Sequence, residues 1–240
     1  MDVSLQLIFQ NYGGRLDDAT HVAHEMRVAE LAEPLGFGKV FVVEHHFFDY
    51  AACPDNAQFL SWLAAKTKTL KLASGAFILP WNDPLRVAEK IVLLDHLSNG
   101  RAVLGLGRGL ARREYGGFGI DMAESRDRFD EAARMILDAC ETGYIEGAGP
   151  YYPQARVEIR PRPLRGFRDR LYCIGMSQES VEQAARIGAR LAIFSQMPWE
   201  MWRETNYAAY RRVWAETHAT PPPGPLTSDI MYCGESDAEA

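Results

Sequence analysis

Cysteine is scarce in this 240-residue chain, and its four copies are scattered. Cys53, Cys140, Cys173 and Cys233 form no CxxC pair and share no metal-ligand spacing, so neither a disulfide framework nor a zinc cluster is expected. Reduced thiols in a cytoplasmic protein are the expectation. Positive charge is not in excess either. Lys and Arg number 26 against 32 Asp and Glu, a formal net charge of -6, whereas a nucleic-acid binder normally carries a basic face. No apolar run approaches the roughly 20 residues that span a bilayer, so no membrane partner is expected. Residues 1–10 carry no cationic segment ahead of their short apolar stretch and do not read as a secretory signal. HExxH spacing is missing too: His21, His24, His96 and His218 fall singly in helical stretches.

What is present is alternation. Strand-like apolar runs at 5–9, 39–43, 70–77, 102–105, 171–174, 191–195 and 226–233 are separated by helical patterns. Helices are expected over 20–35, 55–66, 124–141 and 178–187, with another running from the Asp83-Pro84 cap to Asn99-Gly100 and a Trp-rich one beginning at Pro198. Ser236 could cap a further helix. The segment 144–160 breaks the rhythm and reads as a hairpin-like insertion, closed by the Pro161, Pro163 and Gly166 loop near 166. Seven strands with intervening helices argue for an α/β architecture with a parallel sheet, in one domain spanning 1–240. A closed (β/α)8 TIM barrel needs one more strand and about two more helices, so the C-terminal strand and helices read as missing from this chain.

Chemistry is concentrated where strands end. Val40-Phe41-Val42-Val43 reads as a buried strand, and Glu44-His45-His46-Phe47 follows at its C-terminal end. On the triplet alone, proton transfer and plain satisfaction of neighbouring carbonyls both remain open. Metal binding is disfavoured, because His45 and His46 face opposite sides while the chain is extended. Gly105-Leu106-Gly107-Arg108-Gly109 is no dinucleotide fingerprint, since Leu110 takes the third glycine's place; its basic turn suits an anion or is simply a tight rim turn. Ser177 stands at a helix N-cap with Ser180 one turn on, which is either a phosphate cradle or an ordinary cap. Arg126 lies in the first turn of its helix beside Asp127, Arg128 and Asp130, where a cation invites either an anionic ligand or a surface ion pair. Met197, Trp199, Met201 and Trp202 could frame an apolar ligand, but their spacing is rather that of core residues.

Taken together, these segments resemble the bacterial luciferase superfamily of flavin-dependent monooxygenases, most nearly the luciferase alpha-subunit type. The likeness rests on Val43-Glu44-His45-His46-Phe47, Ile78-Leu79-Pro80 with Asp83-Pro84-Leu85-Arg86, and Leu93-Leu94-Asp95-His96-Leu97-Ser98-Asn99-Gly100-Arg101. It continues through Gly105-Leu106-Gly107-Arg108-Gly109, Phe118-Gly119-Ile120-Asp121-Met122 and Ser125-Arg126. The resemblance implies a (β/α)8 barrel that binds FMN, with Arg108, Arg126, Ser177 and Ser180 on its phosphate, assisted by the amide of Met176. It puts Gly75-Ala76 at a non-prolyl cis peptide against the flavin ring. His45 falls on the family's catalytic histidine and Glu114 on an acidic residue near the ring, and the resemblance makes Glu44 and Glu114 catalytic residues together with His45. The implied activity is a two-component monooxygenase using reduced FMN and O2 to oxygenate a small hydrophobic substrate through a flavin peroxide. A separate NAD(P)H-dependent flavin reductase would supply the flavin, and a homodimer is implied through helices near 55–66 and 84–97. Phe9, Phe47, Phe77 and Trp199 suggest the apolar substrate. Alternatives are a deazaflavin-dependent dehydrogenase of the same superfamily and a non-catalytic flavin-binding protein or dimer subunit. Gly107 stands where luciferases often carry a reactive cysteine, so thiol chemistry is not implied there.

Overall fold

Aspartates start the helices of the N-terminal part, each by accepting a hydrogen bond from an otherwise unpaired backbone amide. Asp17 takes the amide of Thr20 before α1 (Asp18–Ala32), Asp55 that of Gln58 before α2 (Asn56–Lys66), and Asp83 that of Arg86 before α3 (Pro84–Leu97). Asp55 also receives Lys90 Nζ at 2.7 Å, which ties the start of α2 to α3. Gly100 ends the α3 region with a φ of 81°, and its amide returns to Asp95 O. A computed structural model describes residues 3–49, 51–194, 197–229 and 234–236, and the chain divides into two compact units, 1–174 and 175–240.

The first unit is built on a parallel sheet. β1 (Ser4–Leu7) pairs with β2 (Lys39–Val42), β2 with β3 (Lys71–Ser74), β3 with β5 (Ala102–Gly107), and β5 with β8 (Leu171–Ile174). The short β4 (Phe77–Ile78) rejoins β5 further along. The strand expected over 70–77 is therefore two, interrupted at Gly75-Ala76, whose peptide is cis. Ser74 bridges the gap: its hydroxyl accepts from Gly105 N at 2.8 Å and donates to Gly105 O at 3.0 Å. A side chain at Gly105 would place its Cβ 2.0 Å from Ser74 O, so only glycine allows this approach. α4 (Arg112–Gly117) and α5 (Ser125–Thr142) follow β5, and α5 stops at Gly143 with φ 79°. The expected hairpin is present as antiparallel β6 (Tyr144–Gly147) and β7 (Gln154–Glu158), fastened where Glu131 accepts from the amides of Tyr151 and Tyr152.

The second unit carries the parallel pair β9 (Arg190–Phe194) and β10 (Leu226–Ser228). α6 (Gln178–Arg186) packs on α8 (Ala208–Thr217), and Tyr210 Oη donates to Ala189 O at 2.9 Å. Between them lie the one-turn α7 (Trp199–Trp202) and a π-helical turn, Arg203–Tyr207. The four residues expected in the core divide: Trp202 is buried, whereas Met197, Trp199 and Met201 are exposed. A single helical turn offers one face to its unit, and Trp202 occupies it. Of the strand expected over 226–233, positions 230–233 lie outside the described residues, as do Cys233 and the helix expected after Ser236. Cys53, Cys140 and Cys173 are free, buried thiols, each pushed up to about 12 by burial, which leaves them inert near neutrality.

Candidate active site

β2 is buried along its length and apolar from Val40 to Val42, so its polar continuation emerges at one defined point. There the chain leaves the ladder: His45 N donates to Cys53 O at 3.0 Å, and Phe47 adopts a φ of 64°. The turn sends the three polar side chains to different partners. His45 Nδ1 donates to Glu114 Oε1 at 3.0 Å, and the backbone amide of His46 donates to the same oxygen at 2.8 Å. Glu114 is only 1% exposed, so these donors replace water around a buried carboxylate.

Glu44 turns elsewhere. Its Oε1 accepts from Trp81 Nε1 at 2.7 Å, Asn82 Nδ2 at 2.8 Å and His46 Nε2 at 3.3 Å, while Oε2 accepts from Ile78 N at 3.2 Å. This carboxylate is engaged within the fold on both oxygens and fixes the segment that follows β4. Around it stand aromatic rings: Phe118 meets His46 edge-on at 4.8 Å and stacks on Trp81 at 5.4 Å, and Trp81 meets Tyr115 at 5.1 Å. Trp81 and Asn82 are the partners that sequence reading missed. Their only signal was position, immediately ahead of the Asp83-Pro84 helix start.

The anion candidates fall in both units. In the first, Arg108 is half-buried and its guanidinium donates to Ser125 Oγ at 2.9 Å, beside Arg126 in the first turn of α5. Tyr115 Oη donates to the Arg108 carbonyl, and burial pushes the Tyr115 phenol up, so it stays neutral. Gly75 is half-buried and Ala76 buried; a Cβ on Gly107 would lie 3.3 Å from that of Ala76. In the second unit, Ser177 and Ser180 cap α6 reciprocally. Ser177 Oγ accepts from Ser180 N, and Ser180 Oγ accepts from Ser177 N at 2.9 Å and from Met176 N at 3.1 Å. Each unit by itself carries donors of the kind that suit a phosphate group: guanidinium groups in the first, and the amides and hydroxyls of a helix start in the second. Among the described residues no helix is long and apolar enough to cross a membrane, and no group of three His, Cys, Asp or Glu could hold a metal.

Comparison with known proteins gives these features a setting. The family model of luciferase-like monooxygenases matches residues 1–240. The alkanal monooxygenase alpha chain of Photorhabdus luminescens is 28% identical over 163 residues, 68% of this chain and 45% of that protein. The chain spans about half the length of the curated relatives it matches. The monooxygenase RslO1 from Streptomyces bottropensis is 30% identical, with a TM-score of 0.82 over 100% of this chain and 74% of its own. The FMN complex of the oxygenating constituent of 3,6-diketocamphane monooxygenase from Pseudomonas putida shares the fold, with TM-score 0.86 and 20% identity over 100% of this chain and 70% of its own. An F420-dependent secondary alcohol dehydrogenase does so too, at 0.77 and 18% over 90% of this chain and 64% of its own. The fold class is thus the α/β barrel expected, and the chain belongs to the luciferase-like monooxygenase family.

Proposed function

We propose that this protein is the oxygenating component of an FMN-dependent two-component monooxygenase acting on a small hydrophobic substrate. A separate NAD(P)H-dependent flavin reductase supplies reduced FMN, in the cytoplasm. The observation that carries the reading is the His45–Glu114 pair, a partly exposed imidazole held at Nδ1 by a buried carboxylate. A structural histidine needs no such anchor, whereas one that moves a proton gains from a fixed ring and a fixed tautomer. Bound reduced flavin supplies the activation of O2, which no side chain can supply.

The chain's own residues have separable tasks. Arg108 and Arg126 neutralise the FMN phosphate, and Met176 N, Ser177 and Ser180 offer it donors at the start of α6. Gly75 and Ala76 let the ring approach backbone closely. His45 takes up and gives back a proton at Nε2, and Glu114 holds it to that task. Glu44 acts as a positioning residue, keeping Trp81 and the Ile78–Asn82 backbone in place. A homodimer through α2 and α3 is supported by Leu93 and Leu97, two exposed leucines on α3.

Titration of oxidised and anaerobically reduced FMN by fluorescence, on wild type and Arg108→Ala, tests the reading. Reduced FMN binds more tightly, and the variant loses about 10- to 100-fold in affinity, as expected for a hydrogen-bonded charge on phosphate. If neither form binds to folded protein while a deazaflavin does, the dehydrogenase alternative replaces it. Tight flavin binding without turnover of any substrate leaves the non-catalytic subunit.

A further inference from the structure

β2 and β3 separate at their C-terminal ends, just where His45 emerges. Their ladder stops at the Val42–Ser74 pair. Beyond it the chain after β2 turns away, with His45 N on Cys53 O, while Gly75-Ala76 interrupts the run from β3 to β4. Asn56, the first residue of α2, spans the gap. It is 0% exposed, and its Nδ2 donates to Ala76 O at 3.1 Å and to Val42 O at 3.3 Å. Val42 O also accepts from Gly75 N at 2.7 Å, and Ile78 N donates to Glu44 Oε2 at 3.2 Å. The segment 75–78 is thus tied at both ends to the chain that carries His45. Two carbonyl oxygens face Nδ2, so the reversed amide would set oxygen against oxygen and is excluded. Oδ1 is left buried with no partner among the described residues. Such an orphan costs stability, and starting α2 does not require it, because Asp55 already accepts from Gln58 N as the helix cap. What the carboxamide supplies is a donor aimed at two strand ends.

We propose that Asn56 is a positioning residue, whose amide sets the distance between the Gly75-Ala76 backbone and the strand end that delivers His45. It meets no ligand itself. The inference rests on the functional reading above, in which the flavin ring lies against Gly75-Ala76 and His45 moves a proton beside it. Ala76 is 2% exposed, so without the Asn56 donor its carbonyl is orphaned where water does not reach. The peptide must then shift to find another donor, and the surface offered to the ring shifts with it. Asp55 keeps the amide on aim, since it also receives Lys90 Nζ and so fixes the start of α2 against α3.

Two variants of the full chain test this. Asn56→Leu keeps the shape and removes the donor, whereas Asn56→Asp offers a donor only while its carboxyl is protonated. Buried between carbonyl oxygens, that carboxyl holds its proton above the ordinary range. The readouts are the visible spectrum and affinity of bound oxidised FMN, with urea midpoints taken on the ligand-free proteins. Asn56→Leu changes the bound-flavin spectrum and weakens FMN by about tenfold, the loss of one buried hydrogen bond. Asn56→Asp shows the wild-type spectrum in acid and moves to that of Asn56→Leu as pH rises, beyond any change in wild type. A lowered urea midpoint with the spectrum and affinity of wild type means a contact that serves the fold alone, and overturns the proposal. So does an Asn56→Asp spectrum that follows wild type at every pH. Should Asn56→Leu not fold, the pH series on Asn56→Asp decides it. Failure of the functional reading looks different, because wild type itself then binds no flavin. The tie is in that case read without ligand, from the backbone amide resonances of His45 and Ala76 in ¹⁵N-labelled Asn56→Asp. Displacement of both with rising pH, beyond that of wild type, upholds it, and unmoved signals overturn it.

Discussion

A neutral imidazole has one proton to place, and the Glu114 carboxylate against Nδ1 of His45 draws it to that nitrogen. Nε2 then carries the lone pair. Replacing His45 by Ala is expected to lower oxygenation about 10²- to 10⁴-fold, the range for a lost acid–base group, with FMN affinity unchanged. Glu114→Gln keeps the shape but removes the charge that fixes the tautomer. Its expected signature is a lower kcat with an altered pH profile and intact FMN binding; an equal loss of FMN affinity in both variants would mean that the pair only holds the fold. Glu33 gives a second residue-scale expectation, in stability. Burial alone would raise its pKa from 4.5, but the amides of Lys68, Thr69 and Leu70 and the Thr69 hydroxyl converge on the carboxylate and bring it to about 2. Because the folded value is depressed, this contribution is complete above about pH 4.5 and is lost as pH falls toward 2. Urea midpoints measured between pH 6 and 2 should therefore fall more steeply for wild type than for Glu33→Gln. Parallel curves would remove Glu33 from the account.

Elements differ in how much of themselves the sequence displays. Among the described residues a strand stands at each of the seven expected places, the one over 70–77 split in two, and β5 and Val40–Val42 of β2 show why apolar runs reveal them, being buried throughout. The Asp83-Pro84 and Ser177 helix starts were equally visible, because capping is local chemistry. α4 was not. Arg112-Arg113 and Gly116-Gly117 read as loop, and the helix exists through tertiary contact: a Cβ at Gly117 would lie 2.3 Å from the Phe47 ring. Glu114 thus reaches His45 from an element that no periodicity announces, though its position within the family resemblance did. The break between β3 and β4 was hidden for the reverse reason, since Ser74-Gly75-Ala76 continues an apolar run without a turn signal. Least legible was the tie between α3, β5 and β8. Asp95 and Arg170, 75 residues apart, are buried together, with Arg170 NH2 on Asp95 Oδ2 at 2.8 Å, NH1 on Ala102 O at 3.0 Å, and the Phe167 ring 3.8 Å from the guanidinium. Removing one partner strands the other as a buried charge. Arg170→Ala is expected to destabilise by about 3–5 kcal/mol in urea unfolding. A loss under about 1 kcal/mol would show that water reaches Asp95 and that the pair behaves as a surface bridge.

At the scale of the whole molecule, the net charge of -6 offers no general attraction for an anionic cofactor, so any affinity for FMN must come from the local donors. The donors proposed for it are Arg108 and Arg126 in the first unit and Met176, Ser177 and Ser180 in the second. A ligand that binds only the folded chain stabilises it by mass action, about 2.7 kcal/mol at a hundred times its dissociation constant. For a chain of this size each kcal/mol moves the unfolding midpoint by about 2–4 °C, so saturating FMN should raise it by about 5–10 °C. Riboflavin is the decisive control, because it presents the same ring system without the phosphate. It should shift the midpoint little, and Arg108→Ala should bring the FMN curve down to the riboflavin curve while leaving the ligand-free midpoint near that of wild type. Two compact units can unfold in one step or two, so the shift is read for each transition separately. Movement of both under FMN would assign binding groups to both units, and movement of the first alone would return Ser177 and Ser180 to plain helix capping. Equal shifts by FMN and riboflavin would leave a flavin site but exclude the phosphate cluster as its anchor, and the role given to Arg108 would then fall.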